Sequence, residues 1–272
     1  MEKIGLALGG GVARGLAHIG VLKALQQLHI RPDLVSGTSI GAVIGALYAG
    51  GMTAEEMERT ARGLNWGRRA LLIDVTVPRT GLIKGERVKR LLQRMVGDAQ
   101  FADLNVPFAC VATDLMTGEE VVMDDGPVVE AVRASISIPA IFTPVERNGR
   151  ILVDGGLSAP VPVRALKEMG ADFIIAVNVI PSARKRARTS RRGKRPRMPN
   201  IFDVIMQTNY IVSYQRVRSN LRRADLVIEP PVEDVGIADF HRIKDCISRG
   251  EEAARLALEG TDLGRAGRPP SE

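Results

Sequence analysis

The segment at residues 36–41 contains residue types that suit nucleophilic acyl transfer. It reads Ser-Gly-Thr-Ser-Ile-Gly, a G-x-S-x-G pattern centred on Ser39. In this pattern the serine occupies a sharp turn between a strand and a helix, where its hydroxyl is exposed for attack on a carbonyl. Gly37 and Gly41 leave room there, because larger side chains would collide with the adjoining strand and helix. We therefore predict that Ser39 is a nucleophile; a serine N-cap at a glycine-rich helix start is the alternative interpretation.

A second glycine-rich segment, residues 8–15, precedes the first helical pattern and reads Leu-Gly-Gly-Gly-Val-Ala-Arg-Gly. Unobstructed backbone N–H groups at a helix start bind anions, and an acyl-transfer reaction needs such donors for its oxyanion. We predict that the amides of Gly10, Gly11 and Val12 form this oxyanion hole.

The end of this loop permits other interpretations. Arg14 either anchors the loop or faces a lipid phosphate, and a solvated arginine at a helix start is a further alternative. A dinucleotide-binding G-x-G-x-x-G fits poorly, because Arg14 stands where the third glycine belongs and Gly15 comes one residue late. Asp33, the matching ribose ligand, precedes its strand instead of ending it. Nucleotide binding stays open as an alternative function.

Asp154 is the predicted proton acceptor. It directly follows the apolar run 151–153, so its carboxylate is expected at the carboxyl end of a strand, where sites form in open α/β sheets. Gly155 and Gly156 come next and keep side chains away from an approaching serine. An ordinary Asp-Gly turn is the alternative for this segment taken alone.

The chain has three histidines. The order Ser39, Asp154, His241 matches an α/β-hydrolase triad, although charged residues surround His241 and no strand ends before it. His18 lies inside a helical pattern, where we expect a packing role or a polar helix face. His29 ends that pattern, where a surface position is expected. A Ser-Asp-His triad stays open as an alternative to a Ser39–Asp154 pair.

Strand and helix patterns alternate along the chain, which predicts an α/β fold, a three-layer sandwich with a largely parallel central sheet. No repeat or domain boundary is visible, so we expect one domain over residues 1–272. The expected strands lie at residues 4–8, 33–36, 108–113, 120–124, 151–153, 173–179 and 226–228. The expected helices lie at residues 13–28, 40–49, 86–96, 127–134, 162–169, 201–221 and 249–258, with one more that begins at a Thr53–Glu56 capping box.

The composition limits the class of protein. With 272 residues, 45% of them hydrophobic, the chain can form one large α/β domain. Two cysteines imply no disulfide framework and fit a reducing compartment. The longest apolar stretch has about twelve residues, fewer than the roughly twenty of a membrane span, and no signal peptide is recognised. We expect a cytoplasmic protein with peripheral contact at the inner membrane face, and neither a metal nor a cofactor.

Positive charge is concentrated in residues 182–197, which contain nine Lys or Arg and no acidic residue. Outside this basic segment, the chain contains 29 basic and 31 acidic residues. We expect a loop insertion at about residues 182–199 and a frayed tail from about residue 260. Residues 184–197 suit an anionic membrane surface. Nucleic acid is disfavoured because no aromatic residue interleaves the charges. A solvated loop without a partner, and a non-catalytic membrane- or nucleic-acid-binding protein, are the alternatives.

Together, the glycine loop, the G-T-S-I-G and the D-G-G resemble the patatin-like phospholipase family in order and spacing. Residues 15–22 resemble its bacterial branch, and residues 112–115 and 137–142 also match, so the resemblance covers about residues 4–180.

The resemblance implies a serine lipid acyl hydrolase (phospholipase, lysophospholipase or esterase) that acts on a lipid or ester with Ser39 as nucleophile, Asp154 as base and no catalytic histidine. The family has glycine where this chain has Val12, and a β-branched residue resists positive φ, so the geometry of the oxyanion hole is open at this position. Headgroup, acyl chain, transfer to acceptors other than water, and oligomeric state are not predicted.

Overall fold

A computed structural model describes residues 2–64, 85–182, 201–261 and 263–264. Eight strands form one sheet in the order β5-β6-β3-β2-β1-β7-β8, and β4 also pairs with β3. Helices cover both faces, which confirms the predicted α/β fold. The expected loop at 182–199 lies outside the described residues apart from residue 182, and the expected tail from 260 does so apart from residues 260–261 and 263–264.

The strands are β1 (Ile4–Leu8), β2 (Leu34–Thr38), β3 (Phe108–Asp114), β4 (Glu120–Met123), β5 (Val145–Arg147), β6 (Arg150–Asp154), β7 (Phe173–Val177) and β8 (Leu226–Ile228). The described helices are α1 (Ala17–Gln27), α2 (Ile40–Ala49), α3 (Ala54–Gly63), α4 (Glu86–Val96), α5 (Val128–Ser135), α6 (Val163–Glu168), α7 (Ile201–Leu221) and α8 (Ile243–Leu258). A 3-10 turn, Val12–Leu16, precedes α1. The last helix begins six residues earlier than predicted, and β5 was not predicted.

The central strands are buried on both faces because each face packs against helices. Leu6 and Leu8 of β1 belong to a large cluster that includes residues of α1, α2, α5 and α8. Ala7 points the other way, into a smaller cluster that includes Leu166 of α6. None of the described helices combines the length and the apolar character that a membrane span requires.

The pairing of β3 positions the two predicted catalytic segments. β2 runs parallel to β3 as far as the Thr38–Val111 pair. Beyond that point β6 pairs antiparallel with the extension of β3, beginning at Ala112–Asp154. β4 pairs with residues 110–113 of β3 and so occupies the opposite edge. The ends of β2 and β6 therefore meet on the same edge of β3.

Candidate active site

Ser39 lies on a sharp turn between β2 and α2, with φ 56° and ψ −123°. This conformation is strained for a residue with a side chain. The turn is also tightly packed: a Cβ on Gly37 would lie 2.5 Å from Ala42 Cα, and one on Gly41 would lie 2.1 Å from the Leu8 carbonyl oxygen. Glycine at both positions is therefore required for the strand and the helix to approach this closely.

The Ser39 hydroxyl donates a hydrogen bond to Asp154 Oδ2 at 2.6 Å. The backbone N–H of Gly156 donates to Asp154 Oδ1 at 2.8 Å, which holds the carboxylate in place. Both side chains are nearly enclosed, with 6% of Ser39 and 7% of Asp154 exposed. The structure thus brings together the predicted nucleophile and the predicted base in a site that excludes most water.

The route by which Asp154 reaches Ser39 differs from the sequence interpretation. A strand parallel to β2 would end beside it at the carboxyl edge of the sheet, but β6 is antiparallel to β3. It reaches the site because β3 continues past the end of β2. Gly155 follows at once, and a Cβ there would lie 2.2 Å from the Val111 carbonyl oxygen. Glycine allows the chain to turn away next to the backbone of β3.

Burial determines the acidity of Asp154. Desolvation raises the pKa of Asp154 from 3.8 to about 6, although the hydrogen bonds from Ser39 and Gly156 lower it. A carboxylate in a poorly solvated site is a stronger base than an exposed one. The pKa lies close enough to neutrality for Asp154 to accept a proton as a general base.

The glycine loop passes next to Ser39. A Cβ on Gly10 would lie 3.4 Å from Ser39 Cβ. However, the Gly10 N–H donates to the Pro160 carbonyl at 2.9 Å, so it is not free to bind an oxyanion. The amides of Gly11 and Val12 donate to no acceptor in the described part of the chain, and both residues line the same pocket as Ser39.

Val12 adopts a backbone conformation with positive φ, although it replaces the glycine that the family has at this position. Its φ is 53°, in the left-handed region, which β-branched residues rarely occupy. The loop therefore keeps a glycine-like backbone with a valine in it, and the surrounding contacts sustain this strain.

Arg14 anchors the loop. Its side chain is only 2% exposed, its Nε–H donates to the Val235 carbonyl at 2.8 Å, and its guanidinium lies 5.8 Å from the centre of the Tyr210 ring. These contacts support the anchoring interpretation over a solvated arginine. Gly15 packs against the start of α2, since a Cβ there would lie 2.2 Å from Ile40 Cγ2.

None of the histidines lies between Ser39 and Asp154. His18 is completely buried and its Nε2 lies 2.7 Å from the Gly9 carbonyl oxygen. A carbonyl only accepts, so Nε2 carries the proton, and burial lowers the pKa of His18 to about 4. His29 and His241 are exposed. Because the serine bonds the aspartate directly, the geometry does not fit a Ser-Asp-His triad.

Asp33, the residue that would bind the ribose in the alternative nucleotide site, lies far from the glycine loop. Asp33 Oδ2 accepts a hydrogen bond from the Ile4 N–H at 2.8 Å, at the start of β1. The glycine loop follows the other end of that strand, so Asp33 cannot face a nucleotide bound there. Among the described residues, no three His, Cys, Asp or Glu side chains are grouped to hold a metal ion.

Helix α7 forms a wall of the pocket that sequence reasoning did not identify. The pocket that contains Ser39 and Asp154 is also lined by Met206, Asn209, Tyr210 and Ser213 of this helix. Their spacing, i, i+3, i+4 and i+7, marks one helix face and was the available signal. The Tyr210 hydroxyl also donates to the Pro181 carbonyl.

The lining of the whole pocket is mainly apolar. The cavity volume is about 90 Å³, whereas a cavity of about 150 Å³ holds one benzene ring. The apolar side chains that line it are those of Val12, Ile138, Pro139, Leu157, Ile180, Met206 and Ile237.

Comparison with known proteins places this site in a family. An uncharacterized NTE family protein of Mycobacterium tuberculosis is 31% identical over 95% of this chain and 47% of its own length. Lysophospholipase NTE1 of Saccharomyces cerevisiae is 28% identical over 95% of this chain and 17% of its own length. The chain spans at most about half the length of these relatives.

The crystal structure of VipD from Legionella pneumophila has the same fold, with a TM-score of 0.55 at 14% identity, covering 95% of this chain and 67% of VipD. The sequence profile of the family described as patatin-like phospholipase matches residues 6–167, which include the glycine loop, Ser39 and Asp154. The chain therefore belongs to the patatin-like phospholipase family.

Proposed function

We propose that this chain is a lipid acyl hydrolase in which Ser39 and Asp154 form a catalytic dyad. The observation that carries the proposal is the 2.6 Å hydrogen bond from the Ser39 hydroxyl to Asp154 Oδ2 at a strained strand–helix turn. A serine is a weak nucleophile without an adjacent base. Here the carboxylate is the base in direct contact, and its raised pKa favours proton transfer.

In the proposed mechanism, Ser39 Oγ attacks the ester carbonyl and passes its proton to Asp154. The tetrahedral intermediate then collapses to an acyl-serine, and the alcohol leaves with the proton. Water attacks the acyl-serine with Asp154 again as base, and the fatty acid and free Ser39 are released. An alcohol in place of water would give acyl transfer by the same steps.

The N–H groups of Gly11 and Val12 are the proposed oxyanion donors. Both line the pocket that contains Ser39, and the Gly10 N–H is already bonded to Pro160. The positive end of α2, which begins at Ile40, adds favourable potential at the serine oxygen. Each donor of this kind contributes roughly 10²–10³ to a rate.

A lipid or other apolar ester is the proposed substrate. The apolar lining of the pocket favours an acyl chain over a polar ligand. The family description and the name of the yeast relative, lysophospholipase, support the same substrate class. The cavity is too small for a long chain, so such a chain must displace side chains of α7 or leave the pocket past them.

The test is a hydrolysis panel of phospholipids, lysophospholipids and short esters, run with wild type, Ser39→Ala, Asp154→Asn and His241→Gln. We expect the first two variants to lose activity and His241→Gln to retain it. A fluorophosphonate probe should label wild type at Ser39. Activity retained in a folded Ser39→Ala variant, or lost in a folded His241→Gln variant, would disprove the dyad.

We also propose that the protein acts at anionic membrane surfaces. Residues 184–197, outside the described structure, carry nine Lys or Arg and no acid, and each basic residue near an anionic surface contributes about 1 kcal/mol. The helix that follows, α7, exposes Val204, Ile211 and Val212 on its outward side. Charge and apolar contact therefore come from adjacent parts of the chain.

Vesicle sedimentation tests this second proposal. We expect binding to vesicles that contain anionic lipid, weaker binding to zwitterionic vesicles, and loss of binding at high salt. Replacing the basic residues of 184–188 with glutamine should weaken binding without changing the hydrolysis of a soluble short ester. Equal binding to both vesicle types would refute it, as would exclusive binding to nucleic acid.

A further inference from the structure

Ser135, the last residue of α5, contacts the backbone of the catalytic turn. Its side chain is completely buried. The Ser39 N–H donates to Ser135 Oγ at 2.9 Å, and the Ser135 hydroxyl donates to the Val111 carbonyl of β3 at 2.6 Å. One hydroxyl therefore bridges the turn and the neighbouring strand.

The register of the sheet explains what this bridge replaces. In the parallel ladder between β2 and β3, the Val35 N–H donates to the Pro107 carbonyl, and successive bonds recur every two residues. Two such steps beyond the Val35–Pro107 bond, the ladder would join the Ser39 N–H to the Val111 carbonyl. The Ser135 hydroxyl is inserted between these two groups, so β2 separates from β3 at the nucleophile.

The segment 135–137 also binds the backbone of Asp154, the partner of Ser39. The Asp154 N–H donates to the Ser137 carbonyl at 2.9 Å. Residues 135 and 137 thus bind the backbone amides of both Ser39 and Asp154. Ser135 separates β2 from β3 at the point along β3 where pairing with β2 ends and pairing with β6 starts. This point is next to the Ala112–Asp154 pair.

We infer that Ser135 is a positioning residue, whose hydroxyl spaces the Ser39 turn from β3 so that the Ser39 hydroxyl meets Asp154. This inference rests on the proposed function. Without the hydroxyl, the Ser39 N–H and the Val111 carbonyl either stay unpaired or bond directly, which draws Ser39 towards β3. Small misplacements of reacting groups lower rates by up to about 10²-fold.

The test compares Ser135→Ala with Ser36→Ala on a soluble short ester. Ser36 is a matched control, because it is also fully buried and its hydroxyl also donates to one backbone carbonyl, that of Pro162 at 2.9 Å. We expect Ser135→Ala to lower kcat and fluorophosphonate labelling by about 10- to 100-fold with little change in KM. Ser36→Ala should lose comparable stability and keep its kcat.

Two further readouts separate positioning from general destabilisation. The Ser39 hydrogen bond lowers the pKa of Asp154, so weakening that bond in Ser135→Ala should move the acid limb of the pH profile upward, whereas Ser36→Ala leaves it in place. Ser135→Thr, which restores a hydroxyl, should recover activity relative to alanine. Equal kcat in wild type and Ser135→Ala, or equal losses in both alanine variants, would overturn the inference.

A crystal structure of Ser135→Ala distinguishes this inference from the proposed function. The inference expects a changed Ser39–Val111 backbone distance and a longer Ser39–Asp154 separation, whether or not wild type hydrolyses any ester in the panel. An unchanged turn would refute the positioning role alone. Inactive wild type that resists the probe would refute the proposed function alone.

Discussion

The Ser39 hydroxyl and the Asp154 carboxylate, 115 positions apart in the chain, are joined by a direct 2.6 Å hydrogen bond. A triad places an imidazole between these groups, and here none of the described imidazoles lines the pocket. The mechanism that we propose therefore assigns the role of proton acceptor to Asp154 itself. In that mechanism, the protonation state of Asp154, whose pKa is raised by burial, determines how activity depends on pH.

Activity is expected to fall on the acid side of pH 6. Asp154 must be ionised to accept the Ser39 proton, and burial raises its pKa to about 6. The profile of kcat/KM against pH for an uncharged short ester should therefore show one acid limb near that pH. His241→Gln should leave the limb unchanged, and a limb that disappears in this variant would implicate the histidine.

Asp154→Asn is expected to raise stability at pH 8 while abolishing activity. A folded-state pKa of about 6 against an ordinary value of 3.8 means that protonated Asp154 contributes stability below about pH 4, and that this contribution is lost as pH rises through 6. Removing the buried charge should therefore add up to about 3 kcal/mol to the free energy of unfolding at pH 8, and little at pH 4. Urea titrations at both pH values measure this.

Asp234→Asn provides the control of opposite sign. Hydrogen bonds from Arg249 and Arg242 hold the pKa of Asp234 at about 2, so its carboxylate stabilises the fold above the ordinary pKa. Its neutral variant should lose stability at pH 8. A loss in Asp154→Asn at pH 8 would show that the buried carboxylate is not destabilising.

Gly11→Ala should impair catalysis more than Gly10→Ala. A Cβ on Gly11 would lie 2.5 Å from Val179 Cγ2, which forces the loop to shift, whereas one on Gly10 makes ordinary contact with Ser39 Cβ. Because Gly11 supplies a proposed oxyanion donor, kcat should fall by roughly 10²-fold in the first variant. Circular dichroism confirms that both fold. The reverse order of losses would contradict our assignment of the donors.

Val12→Gly should stabilise the protein and keep its activity. Valine at φ 53° is strained by about 1–3 kcal/mol, and glycine removes this strain at an entropic cost of about 0.5–1 kcal/mol. We expect a net gain of about 1 kcal/mol in thermal or urea unfolding. Val12→Ala, which keeps a Cβ in the same conformation, should gain less. Greater stability of alanine than glycine would show that the strain is absent.

Met206→Ala should favour longer acyl chains. Met206 of α7 lines a cavity of about 90 Å³, and truncating it enlarges the space next to Ser39. The ratio of kcat/KM for long-chain to short-chain esters should rise, measured with soluble substrates below their micellar concentrations. Leu256→Ala, an exposed residue on α8, should leave the ratio unchanged.

The sequence predicted the local features of the site well. The bounds of α2, α4 and α7 and the Thr53–Glu56 capping box match the structure, because periodicity and capping are determined by neighbouring residues. The glycines around Ser39 were also predictable, since their requirement follows from one tight turn.

Contacts between segments that are distant in the sequence were not predictable from local patterns. The antiparallel direction of β6, the commitment of the Gly10 N–H to Pro160, and the position of α7 over the pocket all depend on register between distant segments. A motif carries no information about which strand its flanking residues join. The Ser135 bridge was missed for the same reason, because it links three separate parts of the chain.

The arrangement of β2 and β6 along β3 has a consequence for relatives of this protein. Both strands take their places from consecutive residues, Val111 and Ala112. One residue inserted between them would move the serine and the aspartate apart by about 3.3 Å, the rise of one strand residue, and no hydrogen bond would span that gap. A homologue could thus retain both signature motifs and still be inert, so the length of this strand deserves inspection before any such sequence is assigned an activity.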